Sequence, residues 1–292
     1  MTTIAVTGAS GFIGRHVLAA LSQADADVVA HARTKRADQA AARRRHWVHF
    51  DLAAPPPDAF DRLGRPDIVI HLAWGGLPNY LSPRHADIEL PAQARFLQTL
   101  LSAGLKRLAV AGTCFEYGMQ SGCLHEALTP APSTCYGLAK DGLRRQLELL
   151  NDIRPFELRW LRLFYLYGAG QGPTSLYSQF QAAIARGDRA FDMSKGDQLR
   201  DFMKAEDAAA AVVAAALAPD APRVLNICSG QPIAVRSLVE RWRSEAHADI
   251  ALNTGALAAP SYEPFAFWGD SSRLRAILQP DAADPHAGAG AA

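Results

Sequence analysis

The segment PSTCYGLAKDGLRR carries a tyrosine and a lysine four positions apart, Tyr136 and Lys140. On a helix that spacing sets both side chains on one face, about a turn apart. A phenol beside an ammonium is equipment for proton transfer: the cation favours the phenolate and draws the tyrosine pKa down toward a working range. Upstream, a strand-like run over Arg107–Ala111 leads into GTCFEYG and sets Thr113 just past its end. A hydroxyl there can share with Tyr136 the hydrogen bonds of a reacting oxygen. Pairs at this spacing arise by chance on many helices, so the rest of the chain must say what this one serves.

The stretch TGASGFIG places Gly8, Gly11 and Gly14 three residues apart. Before them Ile4-Ala5-Val6 reads as a buried strand; after them Phe12, Ile13, Val17, Leu18 and Leu21 recur at helical spacing. A strand, a tight glycine turn and a helix N-terminus form a seat for phosphate, because the backbone can approach closely and free N–H groups face the anion. A glycine turn with no ligand is the plainer alternative; the strand before and the helix after favour a dinucleotide. The second strand, in DVVAHARTKR, ends without the acidic residue that binds free ribose hydroxyls and delivers Arg33, Lys35 and Arg36 instead. Cations there suit a 2′-phosphate, so NADP(H) is expected over NAD, against the alternative of a solvated basic loop. Asp51 in HFDLA can take the adenine amine, with Leu52 alongside the ring.

The elements that must hold these groups alternate. Strands are expected at Ile4–Thr7, Asp27–His31, Trp47–Phe50, Asp67–Leu72, Arg107–Ala111 and Glu157–Leu163, with helices such as Arg84–Ala103 and Tyr136–Asn151 between them. Alternating βαβα with strands apolar on both faces means a parallel sheet covered by helices on both sides. After about residue 165 the rhythm breaks into shorter pieces, with helices near Ser175–Arg186, Glu206–Leu217 and Val235–Ser244. The expected division is therefore 1–165 as the dinucleotide-binding domain with returns from later segments, 166–280 mainly as a substrate-binding lobe, and 281–292 as a disordered tail.

Of the 292 residues, 49% are hydrophobic and 20% charged, as in a soluble globular protein, and the net charge of +1 gives no surplus for nucleic acid. No apolar run reaches the roughly 18 residues of a membrane span and the start MTT has no signal-peptide profile, so a cytoplasmic protein is expected. Cys114, Cys123, Cys135 and Cys228 show no metal-ligand spacing and are expected to be reduced, with no metal.

Taken together, TGASGFIG, HLAW at His71–Trp74, GTCFEYG and YGLAK resemble the extended short-chain dehydrogenase/reductases, specifically their nucleotide-sugar epimerase/dehydratase group. LRLFYLYGAGQ, RDFMKAEDAAAAV, LNICSGQPI and WGDSSRLRAIL extend the resemblance to about residue 278. It implies a Rossmann-type doubly wound α/β sheet with a smaller C-terminal lobe, and a homodimer paired through Arg84–Ala103 and Tyr136–Asn151. It implies that Tyr136 gives or takes the proton, that Lys140 tunes it and holds the nicotinamide ribose, that Thr113 is the helper hydroxyl, and that Leu72 and Ala73 lie against the cofactor. Expected substrate contacts are Thr113, Cys114, Gln179 and Arg200, the last gripping a diphosphate; Met193 and Arg236 are further candidates beside the nucleotide.

Three departures bear on the reaction. Sugar dehydratases of the group carry Asp-Glu directly after the catalytic threonine, whereas Cys114-Phe115 stand here and Glu116 comes one place late, pointing the other way on a strand-like path. Epimerase-reductases carry a cysteine two places after that hydroxyl, where this chain has Phe115, which leaves Cys114 nearer to packing. Tyr165 replaces the usual asparagine of LRxFNxYG. With the basic loop, these points favour net reduction of a nucleoside-diphosphate 4-keto-6-deoxyhexose, like the reductases that form dTDP-6-deoxy-L-talose. The alternatives are a 4-epimerase that retains NAD, a reductase of non-nucleotide carbonyls, and a non-catalytic NADP sensor.

Overall fold

The structure, a computed structural model, describes residues 1–35 and 44–279; Arg36 and the segment 281–292 lie outside the described residues. Seven strands form the central sheet: β1 (Thr2–Thr7), β2 (Ala26–Ala32), β3 (Arg45–His49), β4 (Ile68–His71), β5 (Arg107–Thr113), β6 (Glu157–Leu163) and β7 (Val224–Ile227). Their order is β7-β6-β5-β4-β1-β2-β3, with every pair parallel. The winding reverses between β1 and β4. In such a sheet a crevice opens outside the carboxyl ends of the strands at the reversal, which is where ligands bind. Thr7 pairs with His31 on one side and His71 on the other, so the glycine turn leaves the sheet at this point.

The α-helices among the described residues are α1 (Phe12–Ala20), α2 (Ala59–Arg62), α3 (Leu90–Ser102), α4 (Cys135–Ile153), α5 (Leu176–Arg186), α6 (Ala205–Leu217), α7 (Val235–Glu245) and α8 (Ser272–Leu278). One face of the sheet packs Val6, Val28, Ile68 and Leu161 against α1 and α6. Helix α6 is nearly all alanine and valine, and its short side chains let it lie close to Gly14, Val17 and Leu18 of α1. The other face packs Val29, Val69, Leu108 and Trp160 against Phe96 and Leu100 of α3 and Leu143 and Leu147 of α4. Strands buried on both faces are what a covered parallel sheet requires.

Two elements differ from expectation. The helix expected to open at Arg84 starts as a π-helical turn over His85–Glu89 before α3. Pro91, in the first turn of α3, has no N–H for the i−4 bond, so the chain widens there. Strand β7, four residues long, was visible in the sequence only as part of a motif, and it adds a seventh strand to the first half's sheet. The later segments thus divide: α6 and β7 build onto that sheet, while α5, α7 and the paired strands Ala190–Met193 and Ala251–Thr254 enclose a separate cluster around Phe180, Phe191 and Trp242. No helix among the described residues is long and apolar enough to cross a membrane, and the four cysteines are free.

Candidate active site

The glycine turn is shaped for a close approach. Gly8 has φ +71°, and a Cβ there would stand 2.7 Å from the Ala73 nitrogen. A Cβ on Gly14 would run into the Gly8 carbonyl, so glycine alone lets α1 lie this near the turn. Helix α1 is preceded by Gly11, with no side-chain cap and no acidic residue in the first turn. Its free N–H groups and positive dipole end therefore face the crevice, the arrangement that a pyrophosphate fits.

Two cavities flank this turn. One, of about 400 Å³, runs from Gly11–Gly14 past Leu72 and Trp74 to Thr113, Tyr136 and Lys140. The other, of about 420 Å³, holds Arg33, Asp51, Leu52 and Ala73, and both share Gly8, Gly11, Leu72 and Trp74. Meeting at the glycine turn, they have the lining that an adenosine half on one side and a nicotinamide half on the other would need. Of the expected cofactor residues, Lys35 is exposed and lines neither cavity, and Arg36 lies outside the described residues. Arg33 is thus the cation of the basic loop that the structure brings to the adenosine end. His31, which sequence reasoning passed over, also lines that end; it bonds the Phe50 carbonyl at 3.0 Å, and burial holds its pKa down at about 4.

Thr113 ends β5 and caps a 3₁₀ turn over Cys114–Tyr117, its hydroxyl accepting from the Phe115 N–H at 3.3 Å. Glu116 reaches back to accept from the Thr113 N–H at 2.9 Å and from the Trp160 indole at 2.8 Å, and pairs with Arg162 at 2.7 Å. Both charges are buried, at 0% and 1% side-chain exposure. Glu116 does point away from the crevice, as expected, but by way of a helical turn and not a strand. Its role is to clamp Thr113 to β6.

On α4, Thr134 caps the first turn, and Gly137 is needed because a Cβ would sit 2.5 Å from the Phe115 carbonyl. Helix and turn therefore meet closely, and Tyr136 and Thr113 line one cavity. Lys140 donates to the Ala111 carbonyl at 2.8 Å and lies 3.9 Å over the face of Trp74. The electrostatics correct one expectation. Burial pushes the Tyr136 phenol well above its ordinary range, with the hydroxyl of Thr113 opposing. Lys140 does not offset that burial: its ammonium is 5.9 Å from the phenol ring centroid, turned toward Ala111 and Trp74. Burial draws Lys140 itself down to about 7, against the pull of Glu116 and Glu89. Near neutral pH the site holds a protonated phenol, which is a proton donor.

The loop between β4 and α3 supplies residues that motif reading used only as a signpost or not at all. Trp74 donates to His85 Nδ1 at 3.1 Å, and His85 Nε2 bonds the Asn79 carbonyl at 2.8 Å. Glu89 accepts from the Gly75 N–H at 3.0 Å and pairs with Arg84 at 3.0 Å. Tyr80 stacks on Phe115, and its carbonyl accepts from the Tyr136 N–H at 3.0 Å. HLAW marks Trp74; nothing in the sequence marks Tyr80 or Glu89.

The expected substrate contacts fare unevenly. Thr113 and Cys114 line the catalytic cavity, and burial pushes the Cys114 thiol up, so it is an inert wall and no nucleophile. Arg200 lines neither cavity: its Nε and Nη2 donate to Glu263 at 3.1 and 2.9 Å, and its Nη1 to the Leu199 and Phe265 carbonyls at 2.8 and 3.0 Å. The fork expected to hold a diphosphate is occupied within the protein. Gln179 is exposed, bonds the Thr174 carbonyl at 2.8 Å and is not brought to the site. Met193 packs in the core of the second cluster, and Arg236 faces Glu240 on its own helix. Tyr165 lines the cavity beside Glu263, a partner 63 positions from Arg200 that no local signal could have found.

Comparison with known proteins agrees with this geometry. The profile of the NAD dependent epimerase/dehydratase family matches residues 4–228. The chain is 28% identical over 269 residues to dTDP-6-deoxy-L-talose 4-dehydrogenase (NAD(+)) of Aggregatibacter actinomycetemcomitans, covering 91% of this chain and 98% of that one. It is 31% identical over 248 residues to dTDP-6-deoxy-L-talose 4-dehydrogenase (NAD(P)(+)) of Kitasatospora kifunensis, covering 81% and 77%. Among solved structures it is similar to MoeE5 in complex with UDP-glucuronic acid and NAD, with a TM-score of 0.80, 28% identity, and coverage of 94% and 92%. A trough for a nicotinamide dinucleotide that ends at a threonine, a tyrosine and a lysine, on this sheet, is that of an oxidoreductase, and the chain belongs to the NAD dependent epimerase/dehydratase family.

Proposed function

We propose that this enzyme reduces the C4 keto group of a nucleoside-diphosphate 4-keto-6-deoxyhexose with NADPH, dTDP-4-dehydro-L-rhamnose to dTDP-6-deoxy-L-talose being the best match. The observation that carries this is Tyr136, a phenol that burial keeps protonated, together with Thr113 in a cavity that no carboxylate of the described residues lines. An elimination or an epimerisation at a carbon next to the ketone needs a base there; adding hydrogen across a carbonyl needs a proton donor. The names of the two talose-sugar relatives support the nucleotide-linked 6-deoxy substrate. Arg33 at the adenosine end, with no acid on the last turn of β2, supports the phosphorylated cofactor.

The reduced nicotinamide, when bound, supplies hydride to the carbonyl carbon. Tyr136 gives its proton to the oxygen as negative charge grows there, and Thr113 shares that oxygen's hydrogen bonds. Lys140 would hold the ribose of the cofactor and place a positive charge near the tyrosine once it has lost its proton. A positioned acid contributes about 10²–10⁴-fold. The exposed Leu138, Leu149 and Ile153 on α4 support pairing of two copies through α3 and α4, which sedimentation would test.

NADPH consumption against a panel of nucleotide-linked 4-keto-6-deoxy sugars, with product configuration read by NMR, tests the activity. Turnover with one of them is expected. Stoichiometric NAD released on denaturing the purified enzyme, without net NADPH oxidation, would replace this reading with the 4-epimerase.

A further inference from the structure

The start of α1 offers a phosphate its free N–H groups and a dipole end of about half a charge. A pyrophosphate carries a full negative charge on each phosphate, so a side-chain cation is called for beside it. Among the described residues that line the two cavities, the cations are Arg33, Lys140 and Arg84. Arg33 stands at the adenosine end, and Lys140 is turned to Ala111 and Trp74 at the catalytic end. Arg84 lines the cavity that also holds Gly8, Ser10 and Gly11, and does not line the catalytic one.

The loop after β4 aims Arg84 at the glycine turn. It leaves the sheet against that turn, since a Cβ on Gly8 would stand 2.7 Å from the Ala73 nitrogen. Two glycines follow, and each makes room for one member of an ion pair. A Cβ on Gly75 would run into the Glu89 carboxylate. One on Gly76, which has φ +81°, would stand 3.3 Å from Cδ and 3.6 Å from Nε of Arg84, so the arginine stem lies across the Gly76 backbone. Glu89 fixes its direction: one carboxylate oxygen accepts from the Gly75 N–H at 3.0 Å, the other from Arg84 Nη2 at 3.0 Å. The acid is 9% exposed and the arginine side chain 47%, so a buried carboxylate holds a cation that stays half open. A pair this open adds little to the fold.

We propose that Arg84 is a cofactor-binding residue: its guanidinium neutralises the pyrophosphate of the dinucleotide at the glycine turn, and Glu89 positions it for that contact. The planar fork suits phosphate oxygens. The proposal rests on the reading of the two cavities as a nicotinamide-dinucleotide site. Arg84 then serves the phosphates common to NADH and NADPH, and Arg33 the one that NADPH alone carries.

Fluorescence titration of the purified enzyme with NADPH and with NADH tests this. Arg84→Gln is expected to raise both dissociation constants by the same factor, roughly tenfold, the low end for a charged hydrogen bond because the side chain is half exposed. Arg84→Lys, which keeps the charge, is expected to recover part of the loss. Added KCl is expected to weaken wild-type binding more steeply than that of Arg84→Gln. A loss confined to NADPH moves Arg84 to the 2′-phosphate and overturns the proposal. So does a higher KM for the sugar with cofactor affinity intact, or two dissociation constants that stay at their wild-type values. A loss that Arg84→Lys repeats in full, with the salt dependence unchanged, marks a displaced loop and overturns it as well. Wild-type enzyme that binds neither dinucleotide overturns the reading of the cavities, and the proposal with it.

Discussion

The two ends of the active-site trough are made of different material. At the glycine turn the ligand faces backbone: a left-handed Gly8, the bare start of α1, and the segment after β4, so close that a Cβ on Gly8 would touch Ala73. At the other end it faces walls of side chains, backed by charges already engaged with each other, Glu116 with Arg162 and Arg200 with Glu263. The first kind of site can bind a phosphate without rearrangement, and any residue larger than glycine spoils it. The second kind spends its charges on holding the walls in place, so the cavity itself is left with hydroxyls, rings and one ammonium. The difference separates binding from chemistry. The backbone end holds the cofactor, and the side-chain end fixes a proton donor and a ring wall.

Variants can break this division at either end. The largest expected effect is on chemistry alone: Tyr136→Phe removes the proton donor and should lower kcat by about 10²–10⁴-fold. Cofactor affinity, read by fluorescence titration, should hardly change. Retention of most activity would remove Tyr136 from its role. Next comes the charge pair that holds the chemical end in place. Glu116→Ala strands Arg162 in the core at 1% exposure, and breaking a buried pair in this way costs about 3–5 kcal/mol. Chemical denaturation should show the loss, and kcat of the surviving folded fraction should fall because Thr113 loses its clamp. A small loss of stability would mean that the pair contributes little.

At the cofactor end, Gly8→Ala forces a side chain into a left-handed position and against Ala73. It should weaken dinucleotide binding by about tenfold or more and cost roughly 1–3 kcal/mol of stability, while turnover at saturating cofactor changes less. Arg33→Ser probes the choice of cofactor. A charge-assisted contact to a 2′-phosphate is worth about 1.5–3 kcal/mol, so the preference for NADPH over NADH, as a ratio of kcat/KM, should shrink by roughly 10- to 10²-fold. An unchanged ratio would move phosphate recognition away from Arg33.

The same division explains what could be read in the chain. Gly8, Gly11 and Gly14, and the pair Tyr136 and Lys140, are local patterns whose geometry follows from a turn or a helix, and six of the sheet's seven strands follow from apolar runs on both faces. Thr113 was legible because it ends a strand. Arg200 was read for its charge, yet its behaviour is set by Glu263, and no period or motif links two positions 63 apart. The pKa of Tyr136 is set by distant segments in the same way. Spacing puts an ammonium on the same face of the helix, but whether burial outweighs it depends on Phe115, Tyr80 and Trp74 closing around the phenol from other segments.

Trp74 is where the two ends meet, since it lines both cavities, and it carries the smallest and most discriminating prediction. Its face lies 3.9 Å from the Lys140 ammonium, and its indole N–H is tied to His85. A ring face favours the charged form of a nearby amine by about 0.5–2 kcal/mol. The other groups that face Lys140 are Glu116 and Glu89, which favour its charge, and His71, which burial holds neutral with a pKa of about 3. Removing the ring therefore shifts an amine already drawn down to about 7 further in the same direction. If activity needs that ammonium, the alkaline limb of the kcat profile must move to lower pH in Trp74→Leu, by up to about one unit. Trp74→Phe, which keeps a ring face, should move it less. A purely structural role for the indole would lower activity equally at every pH, and an alkaline limb that stays in place would mean that Trp74 packs against Lys140 without sustaining its charge.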